Sequence, residues 1–278
     1  MPSRASASPR AHTRYRGRFA PSPTGDLHMG SLVAAVASYL EARVRDGEWM
    51  LRVEDIDPPR EVPGSADRIL HALETFGFEW DGDVLYQSTR TDAYAEAVHK
   101  LREDGMGFGC ACSRSDVAEN AKHVGPEGPV YSGTCRTGAP AGRRERSVRL
   151  KVADAEICFD DRLQGRTCQN IAKDIGDFVI RRADGCYAYQ LAVVVDDAAQ
   201  GITDVVRGAD LLLSTPRQIW LQHRLGLPSP GYLHIPLLLD ESGNKLSKQN
   251  RSLPIDLRRP GSGLFDALCL LQQSPPTE

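Results

Sequence analysis

Between Phe19 and Gly77 the apolar pattern switches twice from strand period to helix period, and this constrains the fold more than any other feature. Phe19 to Thr24 reads as a short strand running into a Pro-rich turn. Leu32, Val33, Val36, Leu40 and Val44 then recur at helical spacing, predicting a helix over Ser31 to Asp46 with Ser31 as N-cap and Gly47 as stop. Trp49 to Val53 is strand-like and ends in the acidic cluster Glu54, Asp55 and Asp57, after which Pro58 and Pro59 force an extended exit. A second amphipathic helix carries Ile69, Leu70, Leu73 and Phe76 and stops at Gly77. Strand, helix, strand, helix is the opening of a parallel α/β sheet.

From about Thr91 a helix leads into Cys110 to Cys135, a Gly/Pro/polar stretch with little period. Short strand-like runs follow at Val148 to Val152 and Ile157 to Phe159, and Phe178 to Tyr189 reads as a hairpin turning at Asp184-Gly185. Beyond the apolar run Leu191 to Val195 and the segment Asp204 to Arg207, Ser214 or Thr215 caps a helix with Pro216 in its first turn and Gly226 after its end. His234 to Leu239 is again strand-like. The expected architecture is a Rossmann-like α/β core split by an inserted α+β subdomain. Its boundaries are drawn as a basic tail (1–14), a first core half (15–94), the insertion (95–180), a second half (181–250) and a short remnant (251–278).

Of 278 residues 41% are hydrophobic and 26% charged, an ordinary globular balance; the net charge of −3 excludes a global basic field, so any RNA contact must be local. No apolar run approaches the roughly 18 residues that span a bilayer. Met1 to Arg18 is Ser-, Pro- and Arg-rich without a hydrophobic h-region, which fits a basic tail rather than a secretory signal. Seven scattered cysteines fit reduced thiols, some of them metal ligands, and a cytoplasmic chain. Cys158, Cys168, Cys186 and Cys269 read as ordinary small hydrophobes.

Two segments carry anion-binding chemistry. In Pro21-Ser22-Pro23-Thr24-Gly25-Asp26-Leu27-His28-Met29-Gly30-Ser31, prolines stiffen the turn, Gly25 and Gly30 let backbone approach a ligand, and the helix end at Ser31 presents unpaired N–H groups beside His28. In Gly243-Asn244-Lys245-Leu246-Ser247-Lys248-Gln249, two lysines stand on a Gly-anchored loop: a solvated turn, or one that closes over a triphosphate. The first resembles the HIGH signature of class I aminoacyl-tRNA synthetases, in the glutamyl form, and the second resembles their KMSKS signature. The resemblance implies ATP held by His28, Gly30, Ser31, Lys245 and Lys248, with His28 and Lys248 catalytic and magnesium on the phosphates.

The same resemblance implies a glutamate pocket. Arginine binds carboxylate bidentately and stays charged. Arg18, Ala20, Ser22, Glu54, Tyr189 and Arg207 match the glutamate-binding positions of glutamyl-type synthetases, while Asp55, Asp57 and Arg60 match a segment expected to form an ion-paired turn.

Cys110-x-Cys112 and Cys135 supply three thiols, which spacing alone leaves open between a metal site and buried cysteines. Tyr131-Ser-Gly-Thr-Cys135-Arg is similar to the glutamyl-Q tRNA(Asp) synthetase family, which implies one structural zinc held by Cys110, Cys112, Tyr131 and Cys135. The 18 residues between Cys112 and Tyr131 exceed the family's spacing and include His123, a competing fourth ligand. Only 30 residues follow Lys248, fewer than anticodon-binding domains need, which points to the same family. Membership implies RNA-independent activation of L-glutamate with ATP and transfer to queuosine in the anticodon of tRNA(Asp). The open alternatives are a shortened enzyme charging the 3′ end of tRNA(Glu) and a non-catalytic zinc- and RNA-binding relative. No membrane partner is expected, and a monomer is the default. Arg143, Arg144 and Arg146 form a basic cluster that suits either a solvated loop or phosphate contact.

Overall fold

A computed structural model describes residues 14–237 and 254–276. Strand β1 (Arg16–Phe19) leads through the Pro-rich turn into helix α1 (Met29–Arg43), and β2 (Glu48–Val53) returns parallel to β1, pairing Arg16 with Glu48 and Phe19 with Leu51. Helix α2 (Ser65–Thr75) carries the chain to β3 (Leu85–Tyr86), parallel to β2. Trp49 anchors this half: it stacks on Phe19 and Phe78, meets the edge of Tyr39, and donates its indole N–H to Ser38 Oγ at 3.0 Å. Leu32, Val36, Leu51, Ile69 and Leu73 complete the apolar layer around it.

Helix α3 (Thr91–Glu103) opens the intervening region, followed by β4 (Gly107–Cys110), the short helix α4 (Arg114–Glu119) and a small ribbon, β5 (Val124–Gly125) with β6 (Gly128–Pro129). Strand β7 (Ser147–Leu150) precedes the hairpin β8 (Glu156–Asp161) and β9 (Gly165–Asn170), and β10 (Phe178–Arg181) follows. Strands β10, β7 and β4 form an antiparallel sheet.

Helix α5 (Tyr189–Ala199), β11 (Asp204–Gly208), α6 (Thr215–Leu225) and β12 (Gly231–Ile235) restore the parallel pattern. Strand β11 lies against β1, with Thr203 N–H donating to Arg16 O at 2.9 Å, so the two halves meet edge to edge. The hairpin β8–β9 does not stay with its sequence neighbours. Strand β8 pairs with β12 at Asp161–Tyr232, giving the sheet order β11-β12-β8-β9. Helix α7 (Pro260–Leu270) packs on α1. This is the split α/β architecture expected from the sequence. Among the described residues no helix is long and apolar enough to cross a membrane.

Three local expectations change. Helix α1 starts at Met29 with His28 as its N-cap, displacing Ser31 into the first turn. The hairpin expected over Phe178 to Tyr189 shrinks to one bridge, Arg181 to Tyr187, because Tyr189 already opens α5. Cys158 and Cys168 face each other across β8 and β9 and are disulfide-bonded rather than free small hydrophobes, and Cys269 is exposed.

Candidate active site

The turn after β1 is shaped by one glycine. Gly25 has φ +133°, a region that side chains disfavour, and Ser65 clamps it by donating to Gly25 O at 2.7 Å and accepting from Gly25 N–H at 3.1 Å. The turn delivers His28 in extended conformation to the head of α1, where Nδ1 accepts from Ser31 N–H at 3.3 Å. With Nδ1 accepting, a neutral ring carries its proton on Nε2. Gly30 and Ser31 lie in the first helical turn, where N–H groups and the helix dipole favour an anion. Lys245 and Lys248 lie outside the described residues.

Beside this helix end is a cavity of about 430 Å³, lined by all six residues singled out for glutamate: Arg18, Ala20, Ser22, Glu54, Tyr189 and Arg207. A smaller cavity of about 170 Å³ shares Ser22, Glu54 and Tyr189 and adds Asp57 and Arg60. Arg60 pairs with Asp57, which also accepts from Arg182 Nη1 at 3.0 Å, while Asp55 takes both the N–H and the hydroxyl of Ser88. Asp57 and Arg60 thus form the ion-paired turn expected there, whereas Asp55 is held by Ser88.

Buried charges set the electrostatics. Asp197 Oδ1 accepts from Arg18 Nε at 3.1 Å and from Arg52 Nη2 at 2.7 Å. Burial opposes its charge, yet Arg18 and Arg52 hold its pKa below the usual carboxylate value. Glu54 moves the other way: burial raises its pKa, against the pull of Arg52 and Arg18. Tyr189 is raised by burial and by Glu54, so its phenol stays protonated and able to donate. The six expected residues thus bring two guanidinium groups, one carboxyl and two hydroxyls to the cavity, and Arg60 and Asp210 also line it.

Arg207 is held on three sides. Its Nη2 donates to Thr215 Oγ1 and Gln218 Oε1, both at 2.8 Å, and its Nε donates to His234 Nε2 at 2.9 Å. Because Nε2 accepts, the ring proton is on Nδ1, which donates to Asp161 Oδ2 at 2.6 Å. Burial and the adjoining guanidinium lower His234 to about 4, so the ring is neutral and acts as acceptor. Asp161 is fixed by the backbone N–H groups of Leu163, Gln164 and His234. The remaining nitrogen, Nη1, is buried without a hydrogen-bond partner among the described residues. A buried, unpaired N–H of a guanidinium is what a carboxylate ligand would satisfy.

The cysteines converge elsewhere, beside β4. The sulfurs of Cys110, Cys112 and Cys135 lie within 4.8 Å of one another, and Tyr131 Oη stands 3.5 Å from Cys110 Sγ and 3.8 Å from Cys112 Sγ. His123 is directed away, its Nε2 within 2.5 Å of Lys173 O. Three thiols and a phenol therefore share one small volume, a donor set that suits a tetrahedral soft-borderline cation. Although burial opposes it, hydrogen bonds from Tyr131 and Arg149 bring Cys110 down to about 7.

Comparison with known proteins fits this arrangement. Residues 14–259 match the family described as tRNA synthetases class I (E and Q), catalytic domain. The chain is 59% identical to a glutamyl-Q tRNA(Asp) synthetase of Dechloromonas aromatica, covering 94% of this chain and 87% of that protein. It is 56% identical to one from Chromobacterium violaceum, covering 95% and 88%. The chain belongs to the glutamyl-Q tRNA(Asp) synthetase family. A crystal structure of a glutamate tRNA ligase from Elizabethkingia meningosepticum, in complex with its amino acid, superposes with a TM-score of 0.75 at 27% identity. It covers 87% of this chain, which spans about half, 54%, of that protein. As a class I synthetase the chain is an ATP-dependent ligase.

Within this family member, four site-shaping residues escape a reading of the sequence: Arg52, Asp197, Asp161 and His234. Arg52 carried the one available signal, a cation inside an otherwise apolar strand that must find a buried partner. The His234 ring makes a sharp prediction, because glutamine can place its amide oxygen where Nε2 accepts from Arg207, whereas asparagine reproduces only the Nδ1 side. In glutamate-dependent pyrophosphate exchange, His234→Asn raises the KM for glutamate about tenfold or more, since a hydrogen bond to a charged group contributes about 1.5–3 kcal/mol. His234→Gln stays close to wild type, and neither variant changes the KM for ATP. Equal KM values in the two variants contradict the role. Acid stability follows the same ring: unfolded histidine binds a proton near 6.5 and folded His234 only near about 4. Wild type therefore loses stability as pH falls across that window, and His234→Gln loses less.

Proposed function

We propose that this chain activates L-glutamate with ATP, without RNA, and transfers the glutamyl group to queuosine in the anticodon of tRNA(Asp). The observation that carries the first step is one cavity lined by Arg18, Arg207, Glu54 and Tyr189, next to the His28-capped helix, with Arg207 Nη1 buried and without a hydrogen-bond partner among the described residues. Two guanidinium groups suit the two carboxylates of glutamate, and Glu54 with the Tyr189 hydroxyl suits its ammonium. The names of the relatives support the RNA acceptor.

In this reading the α-carboxylate of glutamate attacks the α-phosphorus of ATP, and the α–β phosphoanhydride bond breaks to release pyrophosphate. Magnesium carried by the phosphates offsets part of their charge. His28 Nε2–H and the N–H of Gly30 stabilise charge developing on the phosphate, with Lys245 and Lys248 of the Lys-Leu-Ser-Lys-Gln segment supplying cations. A hydroxyl of the queuosine cyclopentenediol then attacks the glutamyl carbonyl carbon, forming an ester and releasing AMP. Cys110, Cys112, Tyr131 and Cys135 would hold one zinc that braces β4 and the loop to Cys135. Burial and hydrogen bonding to the thiols raise the Tyr131 pKa, a balance that a bound dication would reverse.

Glutamylation of tRNA(Asp) bearing queuosine, and none of the same tRNA bearing guanosine at that position, is the expected outcome. Charging that ignores the modified base, or that goes to tRNA(Glu), overturns the reading. Lys248→Ala lowers glutamate-dependent pyrophosphate exchange by about 10²-fold, the scale of losing one preorganised donor; wild-type exchange removes Lys248 from the chemistry. For the metal, one zinc per chain is expected by elemental analysis, lost with a lower melting temperature in Cys112→Ser and kept in His123→Ala. Retention in the first variant or loss in the second contradicts this ligand set.

A further inference from the structure

A cavity of about 800 Å³ opens beside the cysteine cluster, with Arg114, Arg146, Arg149 and Arg182 around Val117 and Val179. Two of these cations are structural. Arg149 donates to Asp177 O at 2.8 Å and lies 4.0 Å over the Tyr131 ring, and Arg182 holds Asp57 and Asp184. Arg114 and Arg146 are exposed and make no side-chain hydrogen bond or ion pair with the described residues. Nearby acids do not neutralise them: Asp116 is taken by Arg143, Glu145 by Arg102 and Asp184 by Arg182. A chain with a net charge of −3 thus keeps a local surplus of positive charge around a partly apolar floor.

The position of this surplus matters. Arg182 lines the cationic cavity, and its partner Asp57 lines the small cavity shared with Ser22, Glu54 and Tyr189. One ion pair therefore stands between the arginines and the site of chemistry. A ligand filling both places must carry repeated anionic groups, present flat apolar surface to Val117 and Val179, and extend a reacting group past Arg182. A single-stranded RNA segment has these properties: phosphates for the guanidinium groups and a base for the floor.

We propose that this cavity holds the RNA strand flanking the nucleotide that receives glutamate, with Arg114 and Arg146 gripping its phosphates. The proposal rests on the RNA acceptor argued above and adds the surface that docks it. The test is the double variant Arg114→Glu/Arg146→Glu in the full chain, both positions being exposed. Its melting temperature and glutamate-dependent pyrophosphate exchange match wild type within twofold. Transfer to queuosine-bearing tRNA(Asp) shows a KM at least tenfold higher, and its log(kcat/KM) falls less steeply with log[salt], by about 1.4 for two lost single-strand phosphate contacts. Arg114→Lys/Arg146→Lys keeps the wild-type salt slope. Wild-type KM and slope in the charge-reversed variant overturn the surface. Should the wild-type chain bind this tRNA without glutamylating it, the acceptor reading fails while the surface is still judged: equal tRNA affinity in wild type and the charge-reversed variant overturns it, and a loss of about tenfold or more upholds it.

Discussion

Two adjacent carboxylates near the end of α5 tie the molecule together. Asp197 accepts from Arg18 on β1 and Arg52 on β2, while Asp196, one residue earlier, accepts from Gln87, Arg90 and Tyr94 at the head of α3. Both are buried, so neither charge has water to fall back on. Removing one partner of such a pair costs about 3–5 kcal/mol, chiefly because the other charge is left stranded. One helix therefore locks the first half of the parallel sheet to the start of the inserted region. It also fixes where the Arg18 guanidinium sits in the cavity.

The second cation depends on a different stretch of chain. Arg207 leans on Thr215, Gln218 and His234, and His234 leans on Asp161 from the β8–β9 hairpin. Hairpin and sheet are joined by the pairing of β8 with β12, so a segment that belongs to the insertion in sequence supports the cleft in space. Preorganisation has a clear physical meaning here: the guanidinium has three filled donor directions, while the two on Nη1 have no partner among the described residues. The side chain loses little further freedom when a carboxylate arrives, which is how fixed arginines gain affinity for the same contact.

Much of this was legible because it is local. The turn from Pro21 to Ser31 and the helix after it follow from motif and residue chemistry; the six cavity residues, spread over the chain, follow from the resemblance to glutamyl-type synthetases, and the structure lines one cavity with all six. Four failures have separate causes. Histidine is not among the usual N-cap residues, so Ser31 looked the better cap, yet His28 accepts from Ser31 N–H and starts the helix earlier. The run from Leu191 to Val194 is buried on every side and so shows no amphipathic period; its helix is invisible to a pattern that needs one wet face. Arg52, Asp161 and His234 act through partners up to 148 residues away, and no spacing rule reaches so far. Cys158 and Cys168 pair only because the β8–β9 register sets them opposite each other.

The central claim is that two fixed guanidinium groups, with Glu54 and Tyr189, make this cleft select glutamate before any RNA is bound. The most direct measurement is ATP–pyrophosphate exchange without RNA, run separately with each protein amino acid. Exchange supported by L-glutamate, with aspartate and glutamine near background, is the predicted result. Exchange driven equally well by aspartate or glutamine, or absent until tRNA is added, would contradict the account.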